Sequence, residues 1–289
     1  MYYSPILFLQ IADLTLTQYH SCHIDMDYLN SKEKIIVFCF YSMVYINKLL
    51  PFLNNVSKPF VLITAMEDTQ LPLEIDISFM NKILLCPFFK HWFSVNKTIP
   101  NDNIFTSIPY GLNYWTLATR PCFGENIQTI FQQNTALESV IKEASHFSQR
   151  IPKIYCNFHF NLSDIRHGGM REKLLNIIPK DIVFIQQQVL PRTESYKATT
   201  NYSFVLSPFG NGLDCIRTFE SLCLGCIVII KKSALDISMY EDLPVLFIDE
   251  WTDINETLLN KTLEEFKNKQ FNYDKLKFEY WANLVITKF

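Results

Sequence analysis

The residues whose types and spacing could do chemistry are concentrated between Phe204 and Ile230, which read Phe-Val-Leu-Ser-Pro-Phe-Gly-Asn-Gly-Leu-Asp-Cys-Ile-Arg-Thr-Phe-Glu-Ser-Leu-Cys-Leu-Gly-Cys-Ile-Val-Ile-Ile. This order spells a strand, a loop with two glycines, a helix that Gly225 stops, and a second strand. Gly210 and Gly212, on either side of Asn211, let backbone N–H groups come close to an anion at the positive end of the helix dipole. A diphosphate fits such a place. Arg217 and Glu220 are three residues apart and share a helix face, while Ile216, Phe219 and Cys223 form an apolar face that can pack on a sheet. The guanidinium can grip phosphate oxygens through two parallel hydrogen bonds, and the carboxylate can accept from a ribose hydroxyl. The bland alternative is that Arg217 and Glu220 form a solvated surface ion pair and the glycines merely turn the chain.

A second segment, Asn157-Phe-His-Phe-Asn-Leu-Ser-Asp-Ile-Arg-His-Gly-Gly-Met-Arg171, repeats the arrangement: Gly168 and Gly169 precede a helix, with Arg166 and Arg171 beside them. The chain has six arginines against twenty lysines, so three of the six falling in these two loops is a concentration that chance seldom produces. Other candidates are weaker. Asp25-Met-Asp27 has the spacing of a metal-binding Asp-x-Asp but does not end a hydrophobic strand. His20, Cys22 and His23 lack a second pair to complete a tetrahedral set. Cys223 and Cys226 occupy apolar positions at a helix-to-strand turn and read as core. No metal site is expected.

Apolar, β-branched runs must position these loops. They lie at Ile35–Cys39, Phe60–Thr64, Lys82–Leu85 and Phe105–Ile108, and then at Lys153–Phe160, Ile182–Gln186, Phe204–Ser207, Cys226–Ile230 and Val245–Ile248. Continuous apolar runs alternating with helical stretches predict parallel strands buried on both faces, hence an α/β class. A polar stretch from Thr119 to Arg150 predicts a helix between the two series. The segment from Glu256 to Phe289 reads as helix with Phe266, Phe271, Tyr280 and Trp281 as anchors. The expected organisation is an N-terminal Rossmann-like domain over residues 1–149, a C-terminal one over 150–260, and a helical segment over 261–289 that packs back toward the first. Two doubly wound domains facing each other would bind ligand beyond the carboxyl ends of their strands, in the cleft.

Composition narrows the function. With 289 residues, 48% of them apolar, and a net charge of −3, the chain has no basic run to neutralise nucleic-acid phosphates. No apolar run reaches the roughly 18 residues of a membrane span, and the N-terminus lacks the basic leader of a secretory signal. Eight cysteines spread over this length are not a disulfide framework. The expected setting is cytoplasmic, and six glycosylation sequons, Asn96 among them, are read as chance in an Asn-rich chain. Only seven glycines occur, where average usage would give about twenty, so each one marks a place.

The segment from Phe204 to Trp251 resembles the exostosin-type glycosyltransferases of family 47 and the related ribitol xylosyltransferases. Their pattern runs approximately Pro-x-Gly-x-Gly-x-Asp-x-x-Arg-x-x-Glu-x-Leu-x-x-Gly-x-Ile-Pro-Val, matched by Pro208, Gly210, Gly212, Asp214, Arg217, Glu220, Leu222, Gly225 and Ile227. Tyr240-Glu-Asp-Leu-Pro-Val-Leu-Phe-Ile-Asp-Glu-Trp251 looks like the family's downstream Leu-Pro-Val-x-x-x-Asp-x-Trp stretch. Lys58–Thr64, His91–Asn96 and Ile108–Asn113 resemble the amino-terminal half of homologues from large DNA viruses and plants; for a viral protein the expected cytoplasm would be that of the host.

The resemblance implies a GT-B architecture and metal-independent transfer, with inversion, from a UDP-sugar such as UDP-xylose, UDP-glucuronate or UDP-galactose to a hydroxyl of a glycan or glycoprotein. Arg217 and Glu220 carry over as diphosphate and ribose contacts, Pro208 to Gly212 as the donor loop, Asp214 as a loop-ordering residue or helix N-cap, and Arg166 and Arg171 as further phosphate contacts. An inverting transfer needs a base in the N-terminal half on a loop after a strand; Glu67 and Asp68 meet that requirement, whereas His91, beside Trp92 and Phe93, reads as packed. Relatives often have Gly-Leu-Asp-Tyr-His where this chain has Gly111-Leu-Asn-Tyr-Trp115, so the acceptor side departs from the pattern. A catalytically inactive nucleotide- or glycan-binding homologue and a nucleotide-sugar epimerase are the rival readings.

Overall fold

The computed structural model describes residues 1–17, 24–40, 43–159, 166 and 171–289. Two parallel five-stranded sheets form an α/β protein. The first contains β1 (Leu14–Leu16), β2 (Ile35–Phe40), β3 (Phe60–Ala65), β4 (Phe89–Ser94) and β5 (Phe105–Ser107), in that spatial order. The second contains β6 (Ile151–Cys156), β7 (Val183–Ile185), β8 (Tyr202–Leu206), β9 (Ile227–Lys231) and β10 (Val245–Ile248), in the order β10-β9-β8-β6-β7.

These orders make the two halves different. In the second sheet the chain starts at β6, steps outward to β7, and then returns past β6 to β8. Successive right-handed crossovers that reverse direction place helices on both faces. Leu174 of α6 (Arg171–Ile177) and Leu259 of α9 (Glu256–Phe266) pack with Ile154, Phe204 and Ile229 on one face. Tyr196 of α7 (Arg192–Thr199) and Phe219 and Leu222 of α8 (Ile216–Cys223) pack with Tyr155, Val205 and Val228 on the other.

The first sheet never reverses, which corrects the expectation that both halves are doubly wound. Crossovers of one hand moving steadily across a sheet stack their helices on one side. Leu29 of α1 (Met26–Ser31), Phe52 of α2 (Met43–Asn55) and Phe79 and Ile83 of α3 (Ile77–Leu84) accordingly join Val37, Leu62 and Trp92 in one cluster. The alternate residues Phe38, Ile63 and Phe93 face the other way. They are covered by the two ends of the chain: Phe8, in a 3-10 turn at Pro5–Gln10, lies 6.3 Å from Phe38 and 5.4 Å from Phe278 at the start of α10 (Phe278–Ile286) between ring centroids. Lys277 pairs with Tyr2 in an isolated antiparallel bridge. The terminal segment resolves into α9 and α10 separated by a 3-10 turn at Tyr273–Leu276.

Lys82–Leu85, expected as a strand, belongs to the end of α3 and its cap. The Asp76 carboxylate caps that helix by accepting from the Phe79 N–H at 2.9 Å, and Phe79 and Ile83, four apart, bury while Lys82 stays exposed. The strand is Phe89–Ser94 instead, and the short β1 escaped notice. The polar stretch does carry a helix, α5 (Ile130–Glu143), started by a reciprocal capping box between Thr129 and Gln132. α4 (Tyr114–Thr119) precedes it. Among the described residues no helix is long and apolar enough to cross a membrane.

Candidate functional site

A cavity of about 760 Å³ opens beyond the carboxyl ends of β6, β7 and β8. It lies where the strand order of the second sheet reverses, the place such sheets reserve for ligands. Its volume falls within the usual range for small-molecule pockets. The segments after the three strands supply one wall, and Asp68, Tyr110 and Asn113 from the first half supply the other.

Arg217 and Arg171 meet on this wall across the ring of Phe158, with guanidinium carbons 5.4 and 5.7 Å from its centroid. Arg217 stands in the first turn of α8 and donates from Nε to Asn157 Oδ1 at 3.1 Å. Arg171 opens α6 and donates to the carbonyls of Phe209 at 2.8 Å and Pro208 at 3.3 Å, fixing the glycine loop from below. Among the described residues neither forms an ion pair with a carboxylate. Burial pushes both guanidinium groups below their ordinary range, Arg217 to about 10 with the neighbouring charge of Arg171 adding to the effect. The pair therefore presents positive charge with no direct carboxylate partner to the cavity, beside an α8 N-terminus that no side chain caps.

Glu220 does not pair with Arg217. Its Oε1 accepts from Arg192 Nη2 at 2.8 Å and from the Tyr196 hydroxyl at 2.9 Å, so the surface-pair reading is not what the structure holds. Arg192 also donates to the carbonyl of Asn113 at 2.9 Å and to Gln133 Oε1 at 3.1 Å, and its Nε donates to Tyr196 at 2.6 Å. The third cavity arginine is thus fully engaged in holding Glu220 at the edge of the pocket.

Asp214 is 2% exposed and is not the helix N-cap, a place taken by Cys215. Its carboxylate accepts from the Tyr110 N–H at 2.7 Å, the Cys215 N–H at 2.8 Å and the Tyr240 hydroxyl at 2.7 Å. Those three donors offset only part of the desolvation, and burial pushes the carboxyl up to about 6. Through these bonds it ties the glycine loop to the Tyr110 backbone and the Tyr240 hydroxyl. The loop's glycines are sites of close approach: a Cβ on Gly212 would lie 2.7 Å from Asn96 Nδ2, and one on Gly210 would lie 3.2 Å from Arg171 Nη2.

Across the cavity, Met66 at the end of β3 adopts a left-handed φ of 69° and turns the chain so that Glu67 and Asp68 diverge. Asp68 faces the cavity, where its side chain hydrogen-bonds with Asn211, while burial raises its carboxyl. Glu67 faces a small recess lined by Thr64, Ser94 and Val95, and burial together with the charge of Asp68 pushes it up to about 7.

The remaining expectations sort by position. Arg166 forms an ion pair with Glu74 of the first half and is not among the residues lining the cavity. Pro208 contributes only its carbonyl, and Asn211, Gly210 and Gly212 do line the cavity. His91, 1% exposed, is bonded to the Asn103 carbonyl at 3.0 Å and Thr106 Oγ1 at 2.8 Å, far from base duty. Asn96 is wholly buried, which closes its sequon to a glycan. Asp25 caps α1, and Cys223 and Cys226 are buried free thiols. Gly168, Gly169, His20, Cys22 and His23 lie outside the described residues. Arg192, Tyr196, Phe158 and the Gln186–Gln187–Gln188 stretch after β7 line the cavity without having been singled out. The scarcity of arginine was the available signal for Arg192, which follows Pro191 and stands four residues before Tyr196. No known protein-family profile matches this chain, and no curated protein matches it in sequence.

Proposed function

We propose that this protein is a glycosyltransferase of GT-B type that moves a sugar from a UDP-sugar to a hydroxyl of a glycan or glycoprotein acceptor, with inversion and without a metal. The observation that carries the reading is the pair Arg171 and Arg217: two partly desolvated guanidinium groups without carboxylate partners among the described residues, at the reversal point of a parallel sheet, with a carboxylate facing them from the other half. The exostosin-like pattern of residues 204–251 agrees with that geometry.

In this reading the donor diphosphate lies against Arg217, Arg171 and the α8 N-terminus, and Glu220, held by Arg192 and Tyr196, accepts from a ribose hydroxyl. Asp68 takes the proton of the acceptor hydroxyl as its oxygen bonds to the anomeric carbon, and the bond from that carbon to the diphosphate breaks. The negative charge gathering on the leaving group meets preorganised, partly desolvated cations, an arrangement that lowers a barrier effectively. Glu67, turned toward its recess, is off the path, and burial with the charge of Asp68 favours its protonated form.

Incubation of the full chain with a panel of UDP-sugars and candidate acceptors, read by mass spectrometry, tests the reading. Glycosylated acceptor, or UDP released by donor hydrolysis, supports it. Donor isomerised without acceptor would select an epimerase instead, and an absence of every product together with an absence of UDP binding would overturn it.

A further inference from the structure

Beside the direct hydrogen bond between Asp68 and Asn211, a side chain that belongs to neither loop joins the two that face each other across the cavity. Asn96 follows β4 by two residues, is wholly buried, and has a left-handed φ of 50°. Apart from glycine, asparagine is among the few residues that adopt this backbone readily, so the turn suits few other side chains. Three hydrogen bonds run from it to the two loops. Its Nδ2 donates to the Glu67 carbonyl at 3.2 Å, its backbone carbonyl accepts from the Leu71 N–H at 3.2 Å, and its Oδ1 accepts from the Asp214 N–H at 2.8 Å. The first two bonds hold residues 67–71 and the third crosses to the glycine loop. Gly212 meets the same amide so closely that a Cβ there would sit 2.7 Å from Nδ2, 2.9 Å from Oδ1 and 3.0 Å from Cγ. Three observations of different kinds, a left-handed turn, hydrogen bonds to both loops and a glycine-only contact, converge on one residue.

We propose that Asn96 is a positioning residue that sets the distance between the Glu67–Asp68 carboxylates and the Gly210–Asp214 loop, so that the two halves of the site move as one. The catalytic consequence rests on the glycosyltransferase reading; the mechanical coupling does not. Asn96 touches no ligand in this arrangement and acts through Asp68 on one side and Asp214 on the other.

Asn96→Gly tests it, because glycine keeps the left-handed backbone without strain while removing both side-chain bonds. In the unliganded protein, the Asp214 amide should exchange its hydrogen at least tenfold faster, as a lost buried bond allows local opening. With a UDP-sugar that the native protein uses, kcat at saturating donor should fall at least tenfold while the melting temperature stays within a few degrees. Gly212→Ala, which presses on the Asn96 amide from the opposite side, should reproduce both effects and serves if Asn96→Gly does not fold. Unchanged Asp214 exchange in both variants would overturn the coupling, and faster exchange with unchanged kcat would reduce Asn96 to a structural residue. A native protein that neither binds UDP nor turns over sinks the glycosyltransferase reading alone, since the exchange result stands without it.

Discussion

Burial draws water away from the guanidinium groups of Arg171 and Arg217, and among the described residues neither forms an ion pair with a carboxylate. Glu67 and Asp68 are the converse, two neighbouring carboxylates that burial makes harder to ionise. Removing the charge of Asp68 should let Glu67 ionise more easily. In Asp68→Asn, carbon-detected NMR titration should find Glu67 ionising below its native value of about 7, and an unmoved titration would contradict the pairing. The same substitution should lower turnover by about 10²–10⁴ while leaving UDP affinity intact, since it removes a base and no donor contact. The raised Glu67 has a stability sign as well. Its folded form holds a proton more tightly than the unfolded chain, so its contribution shrinks as pH rises from the ordinary 4.5 through about 7. Glu67→Gln should flatten that part of a plot of stability against pH, measured by chemical denaturation. At this scale the sequence was informative where a scarce residue type follows glycines: Arg171, Arg217 and Asp214 stand at the cavity, in or just after the glycine-bearing segments that singled them out. The partner of Glu220 was not legible, since Arg192 reaches it across 28 positions of chain.

At the scale of elements, the glycine after α8 is the clearest device. Gly225 has a φ of 73°, its N–H donates to the Leu222 carbonyl at 3.0 Å, and it releases the chain into β9. Gly225→Ala should cost about 1 kcal/mol, the usual penalty of a side chain in that conformation, with a lowered denaturation midpoint and an unchanged slope as the check. A loss above about 3 kcal/mol would mean that the nearby Arg150, bonded to the Leu224 carbonyl at 2.9 Å, is the real anchor of this turn. Eight of the nine expected strands have their counterpart, because apolar runs buried on both faces leave little else for the chain to do. Lys82–Leu85 misled for the reason short apolar runs do: four residues cannot distinguish a period of two from one of 3.6, and the Asp76 cap that decides the matter lies six residues upstream.

At the scale of the whole molecule, the sheet that never reverses leaves one face for the chain ends to cover. Trp281 of α10 is 5.8 Å from Tyr3 between ring centroids and donates to the Lys275 carbonyl at 2.7 Å. Trp281→Ala should destabilise by about 3–5 kcal/mol, and fluorescence and circular dichroism should still report one transition, because the cluster containing Trp281 runs through both halves. Two separated transitions would show that the halves fold independently. Polar joints add to this unity: Lys97, fully buried, pairs with Asp236 at 2.7 Å across the halves, and Asn101 Nδ2 donates to Ser238 Oγ at 2.6 Å. None of these joints was legible in advance, since pairing between segments more than a hundred residues apart leaves no local periodicity. The reversal point of the second sheet was, because the loops that flank it carry their own chemistry.

The most direct test of the account is titration calorimetry of UDP against the native protein and Arg217→Ala. The native protein should bind UDP saturably, one to one. The affinity should be lower by about 10- to 100-fold in the variant, the loss of one or two charge-assisted hydrogen bonds, with little change in melting temperature because Arg217 forms no ion pair among the described residues. No UDP binding by the native protein, or equal affinity in the two, would contradict it.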